Sequence, residues 1–340
     1  MGKLGRRHSR RGLSVVGALV LALMASGCLE APTTIFTPNS KWDVPDPAAY
    51  QFFTAAVVWG TTSCKTACGP KSTIFNIPSY EVTLDNGAAS WEGDALPALP
   101  LTSPATIATW GPAVRDIGGQ WVMVYSEYHG PASSTPNCIG WATAPLLSAT
   151  FTPYNQANPF CGPVGFLDPS LFVAPDGIPY LLWSEEPIPA ARNSAIYIAP
   201  LTPNGLSFNG PPVEMLSFAS AASINGYCTC DEGGNAELEN PSLTADDYNG
   251  YDLTFSLGTW YDPGDYITGS IACPTIYSSD CSTYASQGFQ IMSNGSASVA
   301  TDNTPNLNWM FYDVYKPSSG IRYDQFGETG EVDCDNGACP

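Results

Sequence analysis

Apolar positions in this chain gather into runs of four or five residues that end at turns. Ala55-Ala56-Val57-Val58-Trp59, Trp121-Val122-Met123-Val124-Tyr125, Tyr180-Leu181-Leu182-Trp183 and Trp309-Met310-Phe311-Tyr312 are such runs, and Tyr251-Asp252-Leu253-Thr254-Phe255-Ser256 alternates instead. Runs this short, rich in aromatic and β-branched residues, predict buried strands; strict alternation predicts a strand with two unlike faces. Gly118-Gly119, Asp176-Gly177 and Asn249-Gly250 supply the hairpin turns between them. Beyond the first 25 residues no long stretch keeps the i, i+3, i+4 spacing of a helix. Phe218 to Asn235 is the least strand-like segment and is expected to be a long loop.

The strand pairs are echoes of one another. Asp168-Pro169-Ser170-Leu171-Phe172 and Glu239-Asn240-Pro241-Ser242-Leu243 each carry an acid ahead of Pro-Ser-Leu and lead to a turn and a second strand. Trp110-Gly111-Pro112-Ala113-Val114 repeats the form without an acid, Asp46-Pro47-Ala48-Ala49-Tyr50 repeats it with one, and Ser296 to Ala300 opens a blurred fifth copy. The period is irregular, roughly 60 residues, which suits radially arranged all-β units. The expected fold is all-β, a five-bladed β-propeller over residues 42–330.

The N-terminus reads as an address. Lys3, Arg6, Arg7, Arg10 and Arg11 precede an apolar run from Leu13 to Met24, too short to span a bilayer and suited to a signal peptide over residues 1–27. Ser9-Arg10-Arg11-Gly12-Leu13-Ser14 resembles a twin-arginine export signal, and Ala25-Ser26-Gly27-Cys28 resembles a bacterial lipobox. The chain has 11 Cys, an odd number for an exported protein. A lipid on Cys28 leaves an even set, with spacings that suggest Cys64–Cys68, Cys138–Cys161, Cys273–Cys281 and Cys334–Cys339, and Cys228 and Cys230 over. Residues 28–41 are then a tether and 331–340 a disulfide-closed tail. The protein is expected to be exported, either to a bacterial envelope by its lipid or beyond the cell, as a monomer.

Charge narrows the partner. The chain has 12 Lys+Arg against 31 Asp+Glu, a net charge of −19, and the N-terminal segment removes five of the basic residues and no acidic one. Nucleic acid and anionic membrane faces are poor partners for such a surface, so membrane contact is left to the lipid. With only Arg115, Arg192 and Arg322 beyond that segment, a neutral glycan fits better than a uronic-acid polymer.

Composition also removes most chemistries. The two histidines are His8 and His129, which cannot build a multi-histidine metal site, and no Gly-rich phosphate loop joins a strand to a helix. Carboxylates remain. Glycoside hydrolysis needs one carboxyl held protonated for the leaving oxygen and another ionised, with no metal required. Asp46, Asp168 and Glu239 fall at what the repeat makes equivalent positions, at the start of the innermost strand of three units, and are expected to converge on the channel mouth.

At these residues the chain resembles glycoside hydrolase family 43. The family's Asp-Pro-Ser matches Asp46-Pro47-Ala48, its Trp-Ala-Pro-Asp-Val matches Trp110 to Val114, and its Ile-Asp-Pro-Ser-Leu-Phe matches Leu167 to Phe172. Its Glu-Gly-Pro-Ser-Leu matches Glu239 to Leu243, and its Ile-Gly-Val-Ala-Thr-Ser matches Ile139 to Ala144. The resemblance implies an inverting enzyme acting on arabinan, arabinoxylan or xylan side chains, with Asp46 as general base, Glu239 as general acid and Asp168 as a fixed charge that raises the pKa of Glu239. Trp110, Trp260 and Asn76 are the candidate sugar contacts. No cofactor is expected. Many family members hold a channel calcium with a Gly-Pro-Gly-His run, where this chain has Ser293-Asn294-Gly295-Ser296, and Asn240 stands where the family has a small residue. The alternative is a propeller lipoprotein that binds glycan without cleaving it.

Overall fold

The structure, a computed structural model, describes residues 28–29, 36–37, 42–65, 72–98, 108–129, 136–154, 159–186, 194–225, 236–245, 250–259, 266–277, 281, 290–293, 297–300, 308–316, 321–329 and 331–332. The N-terminal segment 1–27, Trp260, Asn294 to Ser296, and Cys68, Cys228, Cys230, Cys334 and Cys339 lie outside them.

Four four-stranded antiparallel sheets and one three-stranded sheet follow each other along the chain. The first holds β1 (Ala48–Phe52), β2 (Ala55–Trp59), β3 (Pro78–Thr83) and β4 (Ala89–Asp94). The second holds β5 (Ala108–Ile117), β6 (Gln120–Tyr128), β7 (Cys138–Ala144) and β8 (Thr152–Tyr154). The third holds β9 (Gly165–Val173), β10 (Pro179–Glu186), β11 (Ala195–Pro200) and β12 (Val213–Ser217). The fourth holds β13 (Glu237–Ala245), β14 (Tyr251–Gly258), β15 (Ile267–Cys273) and β16 (Gln290–Ser293). The last holds β17 (Ala297–Ala300), β18 (Asn308–Lys316) and β19 (Ile321–Thr329). The first strands, β1, β5, β9, β13 and β17, neighbour one another in a closed ring. Sheets arranged in this way around an axis make a β-propeller.

The apolar runs become strands because both of their faces are buried between sheets. On β10, Leu181 and Trp183 pack into the core shared with the second sheet, while Tyr180 and Leu182 pack into the core shared with the fourth. Period-two alternation sends neighbours to opposite seams, and full burial of each such side chain is worth about 1.5–3 kcal/mol. β14 differs as its sequence does: Leu253, Phe255 and Leu257 enter the apolar seam, and Asp252, Thr254 and Ser256 form a buried polar row on the other face. Between β5 and β6 the tight turn is Gly118-Gly119, with φ of 64° and 82°, values that glycine adopts without a steric cost.

One segment departs from the expected loop. Phe218–Asn225 is an α-helix. Ser217 caps it, its Oγ accepting from the backbone N–H of Ser220 at 3.2 Å, and Phe218 and Ala221 are buried in the seam between the third and fourth sheets. A cap with so short an apolar face is a weak sequence signal. The Cys138–Cys161 and Cys273–Cys281 disulfides are present as the spacing suggested. Cys64 is also disulfide-bonded. Cys28–Leu29 pairs with Glu331–Val332 in a two-stranded sheet. Among the described residues no helix is long and apolar enough to cross a membrane.

Candidate active site

The ring strands share a backbone device. β5, β9 and β13 each slip register against their neighbours, between Trp110 and Ala113, Leu167 and Ser170, and Glu239 and Ser242. Each slip spans an X-Pro pair, where Pro has no N–H for the ladder and so belongs in a bulge. The residue ahead of each Pro has a left-handed backbone: Gly111 at φ 48°, Asp168 at 48° and Asn240 at 54°. Asp46, ahead of Pro47 and just before β1, has φ 53°. A non-glycine residue there costs about 1–3 kcal/mol, and the following Pro disfavours it further.

This register corrects one expectation. The positions equivalent by backbone are Asp46, Gly111, Asp168 and Asn240, so Glu239 sits one residue earlier than the repeat suggested. Asp168 and Glu239 also lie inside their strands, at the bulge, rather than at their starts.

Hydroxyls that close each second strand fasten the next bulge. Gly111 donates its N–H to Thr61 Oγ1 at 3.1 Å, Asp168 donates its N–H to Ser126 Oγ at 2.9 Å, and Ser184 Oγ donates to the Leu238 carbonyl. Thr61 passes its own proton on, donating from Oγ1 to Asp46 Oδ2 at 2.7 Å, while its N–H holds the Pro45 carbonyl at 2.8 Å. Gly111 has to be glycine for a second reason: a Cβ there would collide with Asp168 Oδ1 and lie 2.8 Å from its Cα.

Asp46, Asp168 and Glu239 line one cavity of about 540 Å³. Asp168 and Glu239 are each only 8% exposed. Asp46 and Asp168 also border a second, small space of about 30 Å³ together with Pro47, Pro112, Pro169 and Pro241. Tyr266 donates its hydroxyl to Glu239 Oε1 at 2.6 Å, and Asn240 Nδ2 donates to Tyr266 Oη at 3.2 Å.

Burial, then the charges of Glu239 and Asp46, push the Asp168 carboxyl well above the usual range; the backbone N–H of Asn240 works against this by donating to it. Burial pushes Glu239 up to about 7, opposed by the hydrogen bond from Tyr266, assisted by Asp46 and opposed again by a hydrogen bond from Glu237. Asp168 is thus not the simple fixed charge of the sequence reading. Acids coupled in this way titrate together, and at neutral pH the group retains protons.

Glu237 was missed. It lies two residues before Glu239 on the regular part of β13, so both side chains face the cavity. Burial, Glu239 and Glu186 push its carboxyl up to about 11, and it hydrogen-bonds both of them. Period two makes the Glu237/Glu239 pair legible, whereas Glu186 at the end of β10 and Tyr266 arrive through the fold with no sequence signal.

Of the expected sugar contacts, Trp110 lines the cavity and stacks on Tyr128, ring centroids 3.9 Å apart and planes at 19°, so one of its faces is covered. Asn76 is not among the residues lining the cavity; its Nδ2 donates to the Leu96 carbonyl at 2.8 Å and its backbone N–H to Asp94 Oδ2 at 2.9 Å. Trp260 lies outside the described residues. His129 is buried, with Nδ1 3.0 Å from the Pro136 carbonyl. Among the described residues no group of three or more His, Cys, Asp and Glu is set to hold a metal ion.

A model of glycosyl hydrolases family 43 matches residues 91–331, a span that holds Asp168 and Glu239 and begins after Asp46. Among solved structures, a thermostable family-43 glycoside hydrolase is similar at 17% identity and a TM-score of 0.65, over 89% of this chain and 94% of that one. An endo-arabinase from Bacteroides thetaiotaomicron VPI-5482 is similar at 15% identity and a TM-score of 0.63, over 92% of this chain and 99% of that one. A GH43_1 enzyme from Xanthomonas citri complexed with xylotriose is similar at 14% identity and a TM-score of 0.60, over 90% and 96%. At these identities the structures speak for the shared fold. No curated protein sequence matches the chain.

Proposed function

Because the chain belongs to glycosyl hydrolases family 43, we propose that it hydrolyses a neutral plant-type polysaccharide, arabinan, arabinoxylan or xylan side chains, with inversion at the anomeric carbon. Asp46 activates the water, Glu239 protonates the leaving oxygen, and Asp168 positions Glu239 and shares its protons. The observation that carries the reading is the cavity shared by these three acids, with Glu239 held at about 7, where a carboxyl still has a proton to give near neutral pH. Asp46 lies outside the matched span, and its role rests on its place in the ring and on the Thr61 hydrogen bond.

The wider reading follows from the same frame. The three-stranded sheet is taken as the fifth blade of a propeller over residues 42–330, since β17 lies between β13 and β1 in the ring. The Trp110–Tyr128 stack is an aromatic face for a sugar ring. Export by a 1–27 signal, a lipid on Cys28 and a monomeric state belong to the proposal on sequence grounds.

The deciding experiment incubates the purified mature protein, Asp46→Asn and Glu239→Gln with arabinan, arabinoxylan and xylan. Both variants are expected to lose sugar release while keeping their fold. Release unchanged in both removes this site; polysaccharide binding without release by the parent makes the protein a glycan-binding propeller instead.

A further inference from the structure

Asn240 stands where the family's motif has a small residue, and its place in the fold gives it two tasks. Its backbone is left-handed, φ 54°, a conformation Asn tolerates better than most side chains. That turn directs its N–H to the Asp168 carboxylate. Its side chain faces the other way, and Nδ2 donates to Tyr266 Oη at 3.2 Å. The Tyr266 hydroxyl has a single hydrogen, already given to Glu239 Oε1 at 2.6 Å, so the Asn240 atom facing it must be the donor. With Oε1 occupied as an acceptor, a proton on Glu239 belongs on Oε2.

We propose that Asn240 is a positioning residue that couples the two acids: its backbone N–H holds Asp168, and its side chain, acting through the Tyr266 hydroxyl, fixes which oxygen of Glu239 carries the proton. The inference rests on Glu239 being the proton donor of the proposed reaction. Tyr266 is 5% exposed, so the hydroxyl meets no competition from bulk water. The other titratable groups facing Glu239 are Glu237 on its own strand, Glu186 from β10, Asp168 from β9 and Asp46 before β1.

Tyr266→Phe removes a hydrogen bond that favours ionised Glu239, so the alkaline limb of the pH–rate profile moves up by about one pH unit. Its kcat falls about tenfold as the donor loses its orientation, with KM little changed. Asn240→Gly keeps the left-handed backbone and its N–H, and moves both quantities in the same direction by less. The losses in the double variant are less than additive, as expected of an Asn240 side chain that acts through Tyr266. Additive losses, or an alkaline limb that stays in place in Tyr266→Phe, overturn the coupling.

A second readout is independent of turnover. The Glu239 carboxyl carbon resonance, assigned as the one missing from Glu239→Gln, is expected to titrate at about 7 in the parent and higher in Tyr266→Phe. If Glu239→Gln cleaves polysaccharide as the parent does, the proposed reaction fails, and this titration still decides the coupling: an unmoved resonance overturns it.

Discussion

β9 and β13 are built alike and hold their acids differently. Both are ring strands with an X-Pro bulge and a left-handed residue, but β9 places its carboxylate on that residue, Asp168, while β13 places an amide there and its acid one position earlier. Asp168 is fixed largely by backbone: its own N–H is tied to Ser126, and its carboxylate receives the N–H of Asn240. Glu239 is held by side chains that carry movable protons, Tyr266 and Glu237. A rigid acid and an adjustable one suit different tasks in the proposed reaction, a positioned partner and a proton donor.

The sharpest way to break the comparison is to neutralise each acid in turn and vary the leaving group. Glu239→Gln is expected to cost about 10³-fold in kcat/KM on polysaccharide and far less on an aryl glycoside whose phenolate leaves without a proton. Asp168→Asn is expected to cost about 10²-fold on both, because its loss removes electrostatic positioning rather than a transferred proton. Equal leaving-group dependence in the two variants would erase the distinction between β9 and β13.

The sequence carried the strands, the seams and the acids further than it carried the site. Leu181 and Leu182 read as one apolar run because β10 has an apolar seam on each face, and Asp252 to Ser256 alternate because β14 has an apolar seam on one face and a buried polar row on the other. The repeat singled out Asp46 and Asp168, which line one cavity. Glu239 reads as equivalent to Asp168 although it stands one residue further from its Pro, and the bulge, which keeps Pro-Ser-Leu aligned, puts Asn240 at that position instead. Asn76 had the chemistry of a sugar contact and is occupied in holding Leu96. Glu186, Tyr266 and Thr61 reach the acids from strand ends and connections whose meeting is set by the ring, and no local pattern announces such meetings. Ser217 as a helix cap was legible in type but not in place, because the short stretch Phe218–Asn225 has no long i, i+3, i+4 pattern to announce a helix.

A gentler perturbation reaches Asp168 through its neighbour. Gly111→Ala adds a Cβ at φ 48° that collides with Asp168, so a stability loss of about 1–2 kcal/mol accompanies a drop in activity of about tenfold. Gly177 in the β9–β10 turn also has a left-handed backbone, φ 84°, but nothing lies within 4 Å of a Cβ there. Gly177→Ala should therefore lose comparable stability and keep its activity. Melting temperature and kcat/KM measured on the pair separate backbone strain from displacement of the acid; full activity in Gly111→Ala would show that Asp168 does not depend on Gly111.

The smallest effect tests whether protons hold the β13 side together. Glu237 is pushed up to about 11 and Glu239 up to about 7, both by burial first, from an ordinary value of 4.5. A carboxyl raised in the folded chain binds its proton more tightly there than in the unfolded chain. Its contribution to stability is full below the unfolded value and is lost as pH rises through the folded one. Stability should therefore fall as pH climbs from about 4.5 through 7 for Glu239, and onward to about 11 for Glu237. Glu237→Gln keeps a hydrogen-bond donor toward Glu186 and Glu239 and needs no proton to do so. Its melting temperature should decline less steeply than that of the parent between pH 5 and pH 8, by a difference of a few degrees. Parallel profiles would mean that the proton on Glu237 does not contribute to holding the β13 side together.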